Sequence, residues 1–298
     1  MLEIRGLCSQ IWGAQMTRLL TTSHDRGSAG LTYVYPVLSR RSGGLSIGIN
    51  LNTNHCCNWR CIYCQVPNLR RGRGPHLHLE LLEKELFGFL ADVINGDFYE
   101  RMHVPEELRM IRDIAISGNG EPTTSPQLSS VIGIIAKTAD RFHLRDSIKF
   151  ILITNGSQTH REEIQRALSQ WQKIGGEVWF KIDSATSEGI SQINQVRLSP
   201  IFIKRNFDLC ARLCPTWIQT CVFGWEGKEI ASREKQAYVN FLKELRLAGI
   251  PFRGVLLYGV ARAPMGEKAP LISRLSPEAL EKMANVIREL GIPTTVFP

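Results

Sequence analysis

Six short β-branched runs, each followed by an amphipathic segment, are spread along residues 45–290, and this alternation limits the fold more than any other feature of the chain. The strand signals fall at 45–51, 113–117, Lys149–Thr154, 178–183, 217–223 and 252–259. Helix signals follow at 79–94, 126–139, 159–174, Pro200–Leu213, 232–248 and 277–290. Ser125 or Ser276 reads as an N-cap with Pro126 or Pro277 in the first helical position, and Gly175, Gly249 or Gly291 stands just past a helix end. A strand such as Lys149-Phe-Ile-Leu-Ile-Thr154 is apolar nearly throughout, as a parallel sheet covered on both faces requires. The expected class is α/β. Right-handed βα crossovers either close toward a barrel or open into a doubly wound sheet, and periodicity leaves both open.

No linker rich in Pro, Gly and Ser interrupts the pattern, so residues 31–298 are expected to form one domain behind an N-terminal extension at 1–30. Met16 is as good a start as Met1, which leaves open whether residues 1–15 belong to the folded unit. With 43% hydrophobic residues the chain is neither disordered nor fibrous. No apolar run approaches the roughly 20 residues of a membrane span, and the N-terminus lacks a signal-peptide core, so a cytoplasmic protein without membrane contact is expected. In that compartment eight cysteines read as buried thiols or metal ligands rather than as disulfides.

Charge is unevenly placed. Of the net +8, the first 75 residues carry +7, with nine Arg and no Lys against Glu3 and Asp25. An all-Arg excess suits planar contact with carboxylate or phosphate, or forms a solvated basic face.

In parallel βα folds ligands sit at the carboxyl ends of the strands. The distinctive segments all follow strands: His55-Cys-Cys-Asn-Trp-Arg-Cys-Ile-Tyr-Cys64, Gly118-Asn-Gly-Glu-Pro122, Thr154-Asn-Gly156 and Asp183-Ser184. Cys57, Cys61 and Cys64 form a Cys-x3-Cys-x2-Cys run, too short for all three to enter disulfides with one another. A structural zinc wants a fourth ligand, for which His55, His76 and His78 are near, giving a non-catalytic zinc-stabilised binding module. A three-cysteine run equally suits a [4Fe–4S] cluster with one iron left open.

These residues resemble the radical S-adenosylmethionine (SAM) superfamily. Cys57-Asn-Trp-Arg-Cys61-Ile-Tyr-Cys64 matches its signature, and Gly120-Glu121-Pro122 is similar to the end of its Gly-Gly-Glu-Pro motif, with Asn119 departing at the first of those glycines. The likeness runs from residue 45 to about 260. It implies a partial (β/α)6 barrel of parallel strands, a [4Fe–4S] cluster on Cys57, Cys61 and Cys64, and SAM bound at the open iron. Reductive cleavage of SAM would yield a 5′-deoxyadenosyl radical that abstracts hydrogen from a small molecule, an RNA or a partner protein. SAM contacts would come from Tyr63, Gly118, Asn119, Gly120, Glu121, Asn155, Asp183 and Ser184. Thr-Asn-Gly is also a common turn, and an Asp at a strand end often caps a helix.

The family spacing leaves Cys56 as a neighbouring thiol. Cys210, Cys214 and Cys221 read either as a second cluster site or as thiols buried between helix and strand. Residues 217–225 and Leu257-Tyr-Gly-Val-Ala-Arg262 are expected to face the substrate. Arg70, Arg71 and Arg73, separated by glycine, read as a mobile exposed cation array. It would dock an acidic low-potential electron donor of flavodoxin or ferredoxin type, or contact RNA phosphates, without aromatics for base stacking.

Overall fold

All six expected strands lie in one sheet, and each pairs with the next one in the chain. The computed structural model describes residues 18–20, 26–39, 42–229 and 231–298. The first strands, β1 (Val34–Ser39) and β2 (Gly44–Ile49), form an antiparallel hairpin. From β2 the sheet continues in parallel through β5 (Ile111–Ile116), β6 (Lys149–Thr154), β7 (Gly176–Lys181), β8 (Thr216–Val222), β10 (Val255–Gly259) and β12 (Thr294–Phe297). The order β1-β2-β5-β6-β7-β8-β10-β12 does not reverse, and two short ladders stand outside it, β3 (Cys56–Cys57) with β4 (Arg70–Arg71) and β9 (Gly224–Trp225) with β11 (Ile272–Ser273). A doubly wound sheet reverses at a switch point, so the chain winds one way, as a curled half-barrel.

Helices cover the outside. They are α1 (Leu79–Asn95), α2 (Phe98–Arg101), α3 (Leu128–Arg141), α4 (Glu162–Lys173), α5 (Ser187–Ile193), α6 (Pro200–Leu213), α7 (Ser232–Leu247) and α8 (Pro277–Glu289). α1 packs on α3, α3 on α4 and α4 on α6. Alternation along β6 shows how the two faces divide. Phe150 meets the Trp171 ring of α4 edge-on at 6.1 Å, whereas Ile151 and Ile153 face a cavity on the inner side.

Two strands carried no clear sequence signal. β1 contains Pro36, which removes a ladder donor, and it is tolerated because β1 is an edge strand. β12 is four residues long and completes the parallel set at the other edge. Helix signals held unevenly. Ser276 caps α8 by accepting from the Ala279 N–H at 3.2 Å, but Ser125 does not cap α3. Residues Pro122–Thr124 form a 3-10 turn that ends at Ser125, and α3 starts only after Gln127.

Part of the expected extension packs on this unit, since Leu19 and Ala29 are buried; the question over residues 1–15 lies outside the described residues. No helix among the described residues is long and apolar enough to cross a membrane.

The hairpin is tied to α1 by one buried carboxylate. Glu85 accepts the Thr32 N–H at 2.9 Å, the Tyr33 N–H at 2.8 Å and the Val34 N–H at 3.2 Å. Removing the carboxylate leaves these donors unpaired, each at a cost of about 1 kcal/mol or more. Glu85→Ala is therefore expected to lower stability by roughly 3 kcal/mol in urea unfolding, with Glu85→Gln intermediate.

Candidate active site

The carboxyl ends of the parallel strands surround a cavity of about 530 Å³, within the size range of small-molecule sites. Cys57, Cys61, Cys64, Tyr63, Gly118, Gly120, Glu121 and Asn155 all line it. Asn119, Asp183 and Ser184 are buried beside it without lining it.

The cysteine loop is held at several points. Cys56–Cys57 forms a two-residue strand, β3, paired in parallel with β4 (Arg70–Arg71), and the Gly72 N–H donates to the Cys57 carbonyl at 2.9 Å. The Arg60 N–H and the Ile62 N–H donate to the carbonyls of Asn194 and Ile193 at the end of α5. The Asn58 amide donates to the Ser157 hydroxyl at 2.6 Å and accepts from the Asn155 amide at 2.9 Å. These bonds place the three thiols on one wall of the cavity. Cys56 does not line it; its thiol turns to the Asn54 carbonyl at 3.6 Å.

Burial raises the Cys57 thiol pKa, helped by Glu121, Cys61 and Cys64, and pushes Cys61 up to about 12, helped by Asp183. Burial and the neighbouring carboxylates thus disfavour free thiolates here, with Lys181 opposing them at Cys61, and coordination to a metal centre relieves that cost. Among the described residues no three His, Cys, Asp or Glu side chains gather closely enough to grip one metal ion. His55 instead bonds the Pro67 carbonyl through Nδ1 at 2.9 Å, His78 caps α1 by accepting from the Leu81 N–H, and His76 is exposed.

The Gly-Glu-Pro segment fits by close approach. At Gly118 φ is +150°, and a Cβ there would meet the Asn50 side chain at 2.3 Å; at Gly120 it would meet the Cys56 carbonyl oxygen at 2.0 Å. Asn119 has no positive φ, so a side chain is tolerated where the family motif has glycine. Glu121 accepts the Asn155 N–H at 2.6 Å and the hydroxyls of Thr123 and Thr154, each at 2.5 Å. It joins the loop after β5 to the end of β6. Burial raises its pKa against the opposing effect of these bonds.

Asp183 accepts from the Tyr63 hydroxyl at 2.5 Å, the Asn194 amide at 2.8 Å and the Cys221 N–H at 3.0 Å. Ser184 donates to Glu234 at 2.8 Å and accepts from the Thr186 N–H at the start of α5. Both organise protein groups. Two further residues of the site, Asn194 and Lys181, were not singled out from sequence, and a third, Gln219, falls within the stretch 217–225 expected to face the substrate. Asn194 also donates to the Cys61 sulfur at 3.3 Å, from 133 positions away in the chain, too distant for any local pattern to show. Lys181 lines the cavity with its ammonium on the Tyr258 hydroxyl at 2.7 Å, and Gln219 lies beside it; a lysine and a glutamine on inward strand positions were the available signals.

The other cysteines do not converge. Cys210 shares a hydrogen bond with Thr216, Cys214 donates to the Gly176 carbonyl, and Cys221 lines the cavity. The arginine stretch departs from expectation. Arg70 and Arg71 are exposed but sit in β4, and the Arg71 guanidinium donates to the Gln195 carbonyl at 2.7 Å, because pairing with β3 gives the segment a ladder.

No family model matches the chain. Two curated relatives align in part. GTPase Obg of Brachyspira hyodysenteriae is 28% identical over 136 residues, which cover 45% of this chain and 17% of that protein. UPF0026 protein slr1464 of Synechocystis sp. is 23% identical over 163 residues, 54% of this chain and 52% of that protein. The chain thus matches about half of one relative's length and under a fifth of the other's. It contains no G-x4-G-K-[ST] phosphate loop.

Solved structures align over more of the chain. TYW1 with a lysine-pyruvate adduct bound has a TM-score of 0.55 at 17% identity, covering 82% of this chain and 73% of that one. A radical SAM methyltransferase from Sphaerobacter thermophilus has a TM-score of 0.54 at 13% identity, covering 88% and 68%. A spore photoproduct lyase mutant has a TM-score of 0.50 at 15% identity, covering 81% and 73%. This is the radical SAM fold.

A methyl group at Gly120 has nowhere to go but into the Cys56 carbonyl. Gly120→Ala is expected to cost about 2 kcal/mol in denaturant unfolding and to displace the cysteine loop, read as lower iron retention after reconstitution.

Proposed function

We propose that this chain is a radical SAM enzyme that carries one [4Fe–4S] cluster on Cys57, Cys61 and Cys64. The observation that carries the reading is that three thiols from one loop share a cavity with Gly118, Gly120, Glu121 and Asn155 at the carboxyl rim of a parallel half-barrel. When bound, the cluster and SAM supply reductive cleavage of the sulfonium and a 5′-deoxyadenosyl radical that abstracts hydrogen from substrate.

The chain's own residues position and shield. Backbone groups of residues 118–121 meet SAM where glycine allows close approach, and Asn155 is held for contact by Asn58. Tyr63, fixed by Asp183, forms a wall with Phe223 at 5.8 Å between ring centroids. That wall and the apolar inner positions Ile151 and Ile153 keep water from the reacting atoms.

Zinc is less well served by these donors. Zn–S bonds of about 2.3 Å require four ligands within roughly 4 Å of one another. The nearby histidines, the expected fourth ligands, are engaged elsewhere or exposed. A cluster, with irons at separate corners, takes spread thiolates.

Anaerobically reconstituted protein with dithionite and SAM is expected to release 5′-deoxyadenosine and to hold about four irons per chain. Cys57→Ala should lose the absorbance near about 400 nm, and Cys56→Ala should keep it. A colourless protein that releases no 5′-deoxyadenosine removes the reading.

An acidic low-potential donor of flavodoxin or ferredoxin type is the partner that fits exposed Arg70, Arg71 and Arg73, since β4 pairs directly with Cys57. Arg70→Glu with Arg73→Glu is expected to slow cluster reduction by such a donor at least tenfold at low salt, with reduction by dithionite unchanged.

A further inference from the structure

Lys181 and Gln219 stand out among the cavity residues as a half-buried cation beside a buried amide. They are register partners on β7 and β8, so their side chains rise next to each other from the inner face of the sheet. The Lys181 ammonium donates to the Tyr258 hydroxyl at 2.7 Å and lies 5.0 Å and 5.3 Å from the ring centroids of Tyr63 and Tyr258. It forms no ion pair with a described carboxylate. The Asp183 and Cys61 charges favour the ammonium without a direct ion pair, the Asp183 oxygens being taken by Tyr63, Asn194 and the Cys221 N–H. Gln219 is 2% exposed, lines the cavity, and its side-chain amide has no hydrogen-bond partner among the described residues.

The ammonium spends one of its three N–H donors on Tyr258 and the buried amide has no protein partner, so a bound anion would engage the spare donors of both at once. One ammonium and one neutral amide side by side match a singly charged carboxylate: the lysine meets the charge and the amide N–H donates to the second oxygen. A phosphate dianion would call for a denser set of cations. Trp179, whose indole N–H is already held by Glu177 at 2.9 Å, supplies a flat wall below the pair.

We infer that Lys181 and Gln219, steadied by Tyr258, anchor a carboxylate of the substrate, so that the enzyme acts on a small acid or on an amino-acid-like end of a larger molecule. The inference rests on the radical reading for the reaction the anchored group undergoes, whereas the anion site itself stands on the geometry. SAM also carries a carboxylate, so the test separates the two sources.

Propionate and its neutral counterpart propionamide are titrated against the reconstituted full chain by saturation-transfer NMR, and SAM affinity is measured on the same samples. Wild type is expected to bind propionate at least tenfold more tightly than propionamide. Lys181→Met and Gln219→Leu are each expected to weaken propionate about tenfold, and Lys181→Arg to recover part of the loss. Thermal melts identify a variant that fails to fold, and Gln219→Leu carries the test if Lys181→Met does. Equal affinity for the two probes in wild type overturns the inference, as does a folded Lys181→Met that keeps propionate affinity. A Lys181→Met that loses SAM but not propionate assigns the ammonium to SAM and also overturns it. Wild type that prefers propionate yet forms no 5′-deoxyadenosine keeps the anion site and removes the radical reading; the opposite pair of results does the reverse.

Discussion

Sequential parallel pairing governs this molecule. Each strand from β2 through β10 hydrogen-bonds the following strand of the sheet in the same direction, so every loop that leaves a strand emerges on one rim. The cysteine loop follows β2, the Gly-Glu-Pro segment β5, Asn155 β6 and Asp183 β7. Residues as distant in the chain as Cys57 and Tyr258 are thereby brought around one cavity without any local sequence relation between them. A site of this breadth needs no special loop; it needs the sheet to keep winding one way.

Buried polar bonds then fix the rim. Glu121 joins the β5 and β6 loops, Asp183 joins Tyr63, Asn194 and β8, and Asn58 joins the cysteine loop to Asn155 and Ser157. In a low-dielectric setting each of these is costly to leave half-made, so the network favours a single arrangement of the cysteine wall. The same bonds explain why several residues expected to touch SAM hold protein: Asp183 and Ser184 are spent on structure, and Glu121 joins two loops while also lining the cavity.

Much of this was legible in the chain because its causes are local. A β-branched run reports a strand, and the Cys-x3-Cys-x2-Cys spacing marks the loop whose three thiols line the cavity. Whether the sheet closed or opened was not legible, since strand order is a long-range property. β1 was hidden by Pro36, whose missing N–H harms only a strand with neighbours on both sides. Ser125-Pro126 imitated a helix start because the chain is already extended there for the end of a 3-10 turn. Asn194, Lys181 and Gln219 acquire meaning from Cys61, Tyr258 and each other, all distant in sequence.

The strands β1 and β12 end the sheet without pairing to one another. A closed ring limits what enters to the width of its mouth. A half-ring has a lateral slit running the height of the wall, and a long chain can lie along that slit with only one unit turned inward. The access to such an interior is therefore set by the residues near the two sheet edges, among them Arg26 and Phe297 of β12, which line the cavity, rather than by the curvature of the sheet. Members of one architecture can in this way differ in substrate by orders of magnitude in mass while the interior stays the same width.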